Sequence, residues 1–258
     1  RIAFMAGADK EKCKLYTVSA DGGGSKVLAN IRMIESLDWD GSSFGWSPDG
    51  TRIAFSGYAS NAQQQEVYVI NADGSNLLNL TNNATGDNFA AWSPDGRQIL
   101  FISDRDAADV GEYPFSFLDK WNLYMVNVDG ANVRRLVDRV ENHPKSGIWV
   151  PSSGSRIVVE VIWPGQMVRW YVIDIECVLA NSAAQGTVPP QCRTLLPKPS
   201  GPELFSTWPP GGKQFSYQMG WADDKTTADD IFVVNFDGTG LRNLTNCPAD
   251  DIDPDWSP

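Results

Sequence analysis

The chain has 258 residues, a net charge of −11 and a single histidine. That charge argues against nucleic acid and against anionic membranes as partners, since both select basic clusters. No apolar run reaches the length of a bilayer span. No secretory leader is visible: Arg1 opens directly onto a strand-like run, so a leader is expected to have been removed or to lie outside these residues. Apolar runs are short, β-branched or aromatic, and bounded by Gly, Asp, Asn and Pro, which predicts an all-β fold.

The first predicted strands are Arg1-Ile2-Ala3-Phe4 and Cys13-Lys14-Leu15-Tyr16-Thr17-Val18, the second closing on Asp21-Gly22. Then comes a corner, Trp46-Ser47-Pro48-Asp49-Gly50, which recurs as Trp92-Ser93-Pro94-Asp95-Gly96. Decayed copies begin at Trp149 and Trp208, and Trp256-Ser257-Pro258 ends the chain on a truncated one. Pro pre-sets φ for the turn, Asp bonds its backbone and Gly accepts its unusual dihedral, while Trp is expected to pack between sheets. Each corner leads into a strand: Arg52-Ile53-Ala54-Phe55, Gln98-Ile99-Leu100-Phe101, Arg156-Ile157-Val158-Val159 and Lys213-Gln214-Phe215-Ser216. A variable loop follows, then Glu66–Ile70, Asn122–Val126, Trp170–Ile173 and Asp230–Val234. Asp73-Gly74, Asp129-Gly130 and Asp237-Gly238 signal hairpins into a last short strand.

A four-stranded unit repeating at roughly 50-residue spacing is the mark of a propeller blade. The amino terminus supplies a second strand without a first, and the carboxyl terminus a first without a second. The expectation is therefore an all-β, five-bladed β-propeller of four-stranded antiparallel blades, one domain over 1–258, its first blade closed by the C-terminal strand. The blades are expected at roughly 1–30 plus 253–258, 43–82, 89–138, 146–197 and 205–246. Closure would leave only short, protected edges.

These corners and hairpins resemble the TolB-like propeller repeat, a relative of WD40-like repeats, best over Trp46–Thr81 and Trp92–Leu136. The resemblance implies a periplasmic or extracellular location and protein–protein binding.

Cys177 and Cys192 flank a Pro-, Ala- and Ser-rich insertion, and a disulfide is expected to close it. Cys13 and Cys247 fall at the same end of neighbouring blades in a closed ring, so a second disulfide is expected there. Four reduced cysteines in a cytosolic protein are the alternative; pairing favours an oxidising compartment. The Cys spacing does not suit zinc.

Catalytic patterns are weak. Gly41-Ser42-Ser43-Phe44-Gly45 matches the nucleophile elbow in letters but runs straight into a strand instead of a helix. His143 lies in a loop beside Pro144. Asp251, Asp253 and Asp255 start like a calcium loop, with Trp256 where glycine should stand. Asn79-Leu80-Thr81, Asn83-Ala84-Thr85 and Asn243-Leu244-Thr245 are sequons that coincide with the repeat. No catalytic residue, cofactor or metal is expected, and the chain is expected not to be an enzyme.

A binding face is expected on the loops after the second strand of each blade and between blades. They carry Asp104, Asp106, Asp109, Glu112, Tyr113, Phe115, Phe117, Trp221, Asp223, Asp224, Asp229, Asp230, Asp250, Asp251, Asp253 and Asp255. Acids beside aromatics suit a basic peptide, a polyvalent cation or a glycan. The leading functional expectation is an exported, non-catalytic binding or scaffold domain with a protein partner or identical subunits. Alternatives are a self-assembling filament or tube built by strand exchange, and a glycan-binding or glycoside-hydrolase propeller. The last needs paired acids in a central channel. The first-strand entries Ser43, Asn88, Ser146, Phe205 and Asp253 are mostly not acids.

Overall fold

The computed structural model of the protein describes residues 1–6, 14–21, 23–29, 31, 44–59, 63–106, 121–138, 148–150, 154–161, 169–181, 188–196, 203–207, 213–219, 230–235 and 237–245. They fall in two units, Arg1–Gly147 with Ala184–Thr187, and Ile148–Ala183 with Val188–Pro258.

The first unit holds three antiparallel sheets. One contains β1 (Ile2–Ala6), β2 (Lys14–Val18) and β3 (Lys26–Val27). The next contains β4 (Phe44–Trp46), β5 (Arg52–Gly57), β6 (Glu66–Asn71) and β7 (Leu78–Asn79). The third contains β8 (Asp87–Trp92), β9 (Gln98–Ser103), β10 (Asn122–Asn127) and β11 (Arg134–Val137). Neighbours in each sheet are consecutive in sequence, so every sheet is an up-and-down meander.

The turns follow from side chains close in sequence. Ser47 Oγ donates to Asp49 Oδ1 at 2.6 Å and accepts the Arg52 N–H at 2.9 Å; the Thr51 N–H donates to the same Asp49 oxygen at 3.0 Å. Ser93, Asp95, Arg97 and Gln98 repeat the arrangement. In the hairpins, Asp73 and Asp129 each accept the N–H two residues on at 2.9 Å. Gly74 and Gly130 take φ 84° there, a left-handed value that costs glycine nothing.

Two apolar layers lie between the sheets of this unit. Ile53, Phe55, Tyr68 and Ile70 pack with Leu15 of the first sheet and with Leu28 and Ile31, which follow its last strand. Ala54, Val67 and Val69, pointing the other way, pack with Trp92, Ile99, Phe101, Tyr124 and Val126 of the third. The middle strands β5 and β6 are thus buried on both faces, which is why they read as continuous apolar runs. Burying Phe55 or Phe101 completely is worth on the order of 2–3 kcal/mol each. A cross-strand ring pair recurs in register: Phe4 with Tyr16, Phe55 with Tyr68 and Phe101 with Tyr124, centroids 5.4–5.5 Å apart.

The second unit holds two sheets: β12 (Ile148–Trp149), β13 (Arg156–Val161), β14 (Arg169–Asp174) and β15 (Arg193–Leu195), then β16 (Glu203–Thr207), β17 (Gln214–Met219), β18 (Asp230–Asn235) and β19 (Arg242–Asn243). Val150, Val158, Val172 and Leu196 of one pack with Phe232 and Val234 of the other.

The structure departs from the sequence reading in several places. A helix, α1 (Ile175–Asn181), interrupts the all-β pattern. It buries Ile175 and Val178 one turn apart, and Asp174 Oδ1 accepts the Cys177 N–H at 3.0 Å as its cap. At seven residues it is too short to show a helical period. The strands β8 and β16 begin at Asp87 and Glu203, and each carries a bulge near its start that the repeat did not signal. In the last sheet Gln214, not Lys213, occupies the register position of Arg52 and Gln98: each pairs with the Asn that ends the next strand. The first sheet has three described strands; the expected fourth, residues 253–258, lies outside the described residues.

Candidate functional site

In a meander, the links from second to third strand and from sheet to sheet share one end. At that end of the second and third sheets lies a polar cluster within the first unit. Glu66 opens β6 and is 7% exposed; Asp87 opens β8 and is fully buried. The connection between β7 and β8 is held between them. Thr81 Oγ1 donates to Glu66 Oε2 and accepts the Val67 N–H at 3.0 Å. The Asn83 N–H donates to Glu66 Oε1 at 2.9 Å, and Asn83 Nδ2 donates to Asp87 Oδ2. Arg105 Nη2 donates to Asp87 Oδ1 at 2.9 Å, and its guanidinium lies 5.0 Å from the Phe101 ring centre and 4.9 Å from that of Tyr124.

Burial pushes the Glu66 carboxyl above the ordinary carboxylate range, against the hydrogen bonds from Thr81 and Asn83; the charge of Asp87 pushes the same way and that of Arg105 opposes it. Burial also raises the Tyr124 hydroxyl, reinforced by Asp106.

Of the acids and aromatics expected on the binding face, the structure describes three, Asp104, Asp106 and Asp230, and all are tied inward; Asp230 accepts from Asn243 Nδ2 at 2.8 Å and from Thr245 Oγ1 at 3.2 Å. Asp104 Oδ1 accepts the Gly86 N–H at 2.8 Å. Asp106 Oδ2 accepts from the Tyr124 hydroxyl and from Arg135 Nη1 at 3.2 Å. These two acids anchor the base of the loop after β9. Asp109, Glu112, Tyr113, Phe115, Phe117, Trp221, Asp223, Asp224, Asp229, Asp250, Asp251, Asp253 and Asp255 lie outside the described residues, as do Ser43, His143, Ser146, Cys13, Cys247, Trp208 and Trp256. Among the described residues no group of three His, Cys, Asp or Glu is arranged to hold a metal ion.

Three sequence readings gain a structural basis. The last two residues of the elbow-like pattern, Phe44 and Gly45, belong to β4, where a helix would have to follow a nucleophile elbow; Gly41, Ser42 and Ser43 lie outside the described residues. Asn79 and Asn243 use their side-chain oxygens to accept the N–H of Thr81 and Thr245, both at 3.1 Å, so these sequons are turn chemistry. The bond between Cys177 and Cys192 is present and joins α1 to the short 3-10 turn Pro190–Cys192.

Glu66 went unnoticed in the sequence, although a signal was there. Glu66 and Asp230 each stand fifteen residues before a threonine that bonds them, Thr81 and Thr245, inside the repeated Asn-Leu-Thr.

Meandering sheets with apolar layers between successive members define a β-propeller. A TolB from Acinetobacter baumannii superposes with a TM-score of 0.59 at 18% identity, over 96% of this chain and 52% of that one. The chain is a TolB-like propeller in its fold. No protein-family model matches it. The uncharacterized protein Atu1656 of Agrobacterium fabrum is 36% identical over 93 residues, 36% of this chain and 30% of that protein. The uncharacterized peptidase YuxL of Bacillus subtilis is 24% identical over 127 residues, 48% of this chain and 18% of that protein. The matched stretches thus span less than a third of these curated relatives.

The expectation that the chain is not an enzyme is overturned by these likenesses. Beside YuxL, a puromycin-hydrolyzing peptidase of Mycobacterium tuberculosis shares the fold with a TM-score of 0.59 at 15% identity, over 92% of this chain and 34% of that one. An oligogalacturonate lyase in complex with manganese does so with a TM-score of 0.54 at 17% identity, over 88% of this chain and 55% of that one. A repeat without a nucleophile and a base does not exclude catalysis, since a propeller hosts sites in its loops and beside other parts of longer proteins.

Proposed function

We propose that the chain is an exported propeller domain that binds a protein or peptide of basic character on the loops after β9 and β17. One observation carries this reading. The corner and hairpin turns at one end are tight, whereas β9 and β10 are separated by residues 104–121 and β17 and β18 by residues 220–229. Long loops set on rigid strands are where recognition concentrates. These are rich in Asp, Glu, Tyr, Phe and Trp, and Asp104 and Asp106 hold the base of the first. Five blades closed by residues 253–258 would display them around one rim. The Cys177–Cys192 bond favours an oxidising compartment, and no helix among the described residues is long and apolar enough to cross a membrane.

The test is selection from an array of short peptides. Basic and basic-aromatic sequences should be retained by the wild type and lost by a Glu112→Gln, Tyr113→Ala, Phe115→Ala, Phe117→Ala variant that melts at the same temperature. Retention of acidic or neutral sequences instead would overturn the proposal. A second reading is favoured by the likeness to peptidases: the same loops would admit a peptide to a catalytic centre. Peptidase turnover by the natural full-length protein, altered by that loop variant, would select it.

A further inference from the structure

We propose that the connection between β7 and β8 is a proton-operated latch, which Glu66 closes on mild acidification. Two buried carboxylates, Glu66 and Asp87, grip this connection through one residue, Asn83, whose backbone N–H serves the first and whose side chain serves the second. One guanidinium, Arg105, lies on the Asp87 side and donates to Asp87. Glu66 is therefore buried with a like charge beside it, while the compensating cation is spent on its neighbour. Tyr68, on the same strand as Glu66, feels its charge; further along the cluster Asp104 is bonded to Gly86, Asp106 to Tyr124 and Arg135, and the Tyr124 ring lies 4.9 Å from the Arg105 guanidinium.

A proton on Glu66 disrupts none of the bonds that hold the backbone. Oε1 still accepts the Asn83 N–H. A proton on Oε2 points at Thr81 Oγ1, which keeps the Val67 N–H as its other donor while its own hydrogen turns away. Opening the latch takes Glu66 into water. Its pKa is raised in the closed form, so the closed form binds the proton more tightly than the open one. The latch is firmest below the ordinary glutamate value of about 4.3 and loosens as pH rises through the raised value. Gly86, at the end of the connection, is bonded to Asp104. The proton thus acts on the base of the loop after β9. This inference stands apart from what that loop binds.

The test is amide hydrogen exchange of Val67 and Asn83, corrected for intrinsic rates, at pH 5 and pH 7.5. Opening should be rarer at pH 5 than at pH 7.5 in the wild type. Glu66→Gln should remove the difference. Equal opening at the two pH values, or a pH dependence that persists in Glu66→Gln, would overturn the proposal. Should that variant fail to fold, a carbon-13 titration of the wild-type Glu66 carboxyl decides: a midpoint above the ordinary value supports the latch, and one at or below it rules the latch out.

Discussion

Trp92 Nε1 donates to the carbonyl of Gly45 at 2.8 Å, joining the third sheet to the first strand of the second. The Arg52 guanidinium lies 5.2 Å from the centre of the Trp92 ring and donates to the Gly96 carbonyl at 3.0 Å. Trp92 is thus a bolt between the second and third sheets. Trp92→Phe should cost about 1–2 kcal/mol through the lost hydrogen bond, and Trp92→Ala about 3–5 kcal/mol through the cavity as well. Urea unfolding measures both; a Trp92→Ala protein as stable as the wild type would mean the ring is not a packing element.

Thr81 and Thr245 occupy matching places but differ in burial: Thr81 is buried and Thr245 exposed. Thr81→Val leaves the Val67 N–H and a Glu66 oxygen without their partner, and should destabilise by about 1–3 kcal/mol. Thr245→Val should cost less, because water can replace the hydroxyl. Paired melting curves of the two variants check the order.

Asp49 is held down to about 2, first by the Ser47 hydroxyl and then by the Thr51 N–H and hydroxyl. Asp73 and Asp237 are lowered by the same turn chemistry. A depressed folded-state value means the contribution to stability is present above the ordinary aspartate value of about 3.9 and is lost as pH falls through the lowered one. NMR titration should place the Asp49 midpoint near 2, and Ser47→Ala should raise it towards the ordinary value. An unchanged midpoint in that variant would assign the shift to other causes.

Closure of the first blade remains a proposal, since residues 253–258 lie outside the described residues. If they complete the sheet of β1, deleting them should lower the melting temperature. Non-reducing peptide mapping should find Cys13–Cys247 beside Cys177–Cys192. In a closed monomer the first of these bonds lies within one chain; in a strand-exchanged oligomer it links two, and reduction would dissociate them. Free thiols at Cys13 and Cys247, together with an unchanged melting temperature, would refute closure at this seam.

Much of the fold was legible because its signals are local. The corner at Trp46–Gly50 and the hairpin at Asp73-Gly74 are specified by residues two to five apart, and the structure returns those bonds. The helix α1 was hidden because its two buried residues make no pattern longer than a turn. The site was harder to see because its bonds are not local. Asp104 and Asp106 read as surface acids, yet the Gly86 N–H, eighteen residues earlier, and the Tyr124 hydroxyl, eighteen residues later, need acceptors where these acids stand. Glu66 opens a strand of apolar residues, and its partners become visible only when the blade is folded.

The residues between β9 and β10 are the proposed recognition surface for basic partners. The direct measurement is calorimetric titration of a basic-aromatic peptide, taken from the array, into the wild type and into the Glu112, Tyr113, Phe115 and Phe117 variant at two salt concentrations. Binding to the wild type should be saturable and should weaken as salt rises, because charged contacts are screened with ionic strength, and the variant should not bind. Binding of equal strength to both proteins, or binding indifferent to salt, would rule out this recognition surface.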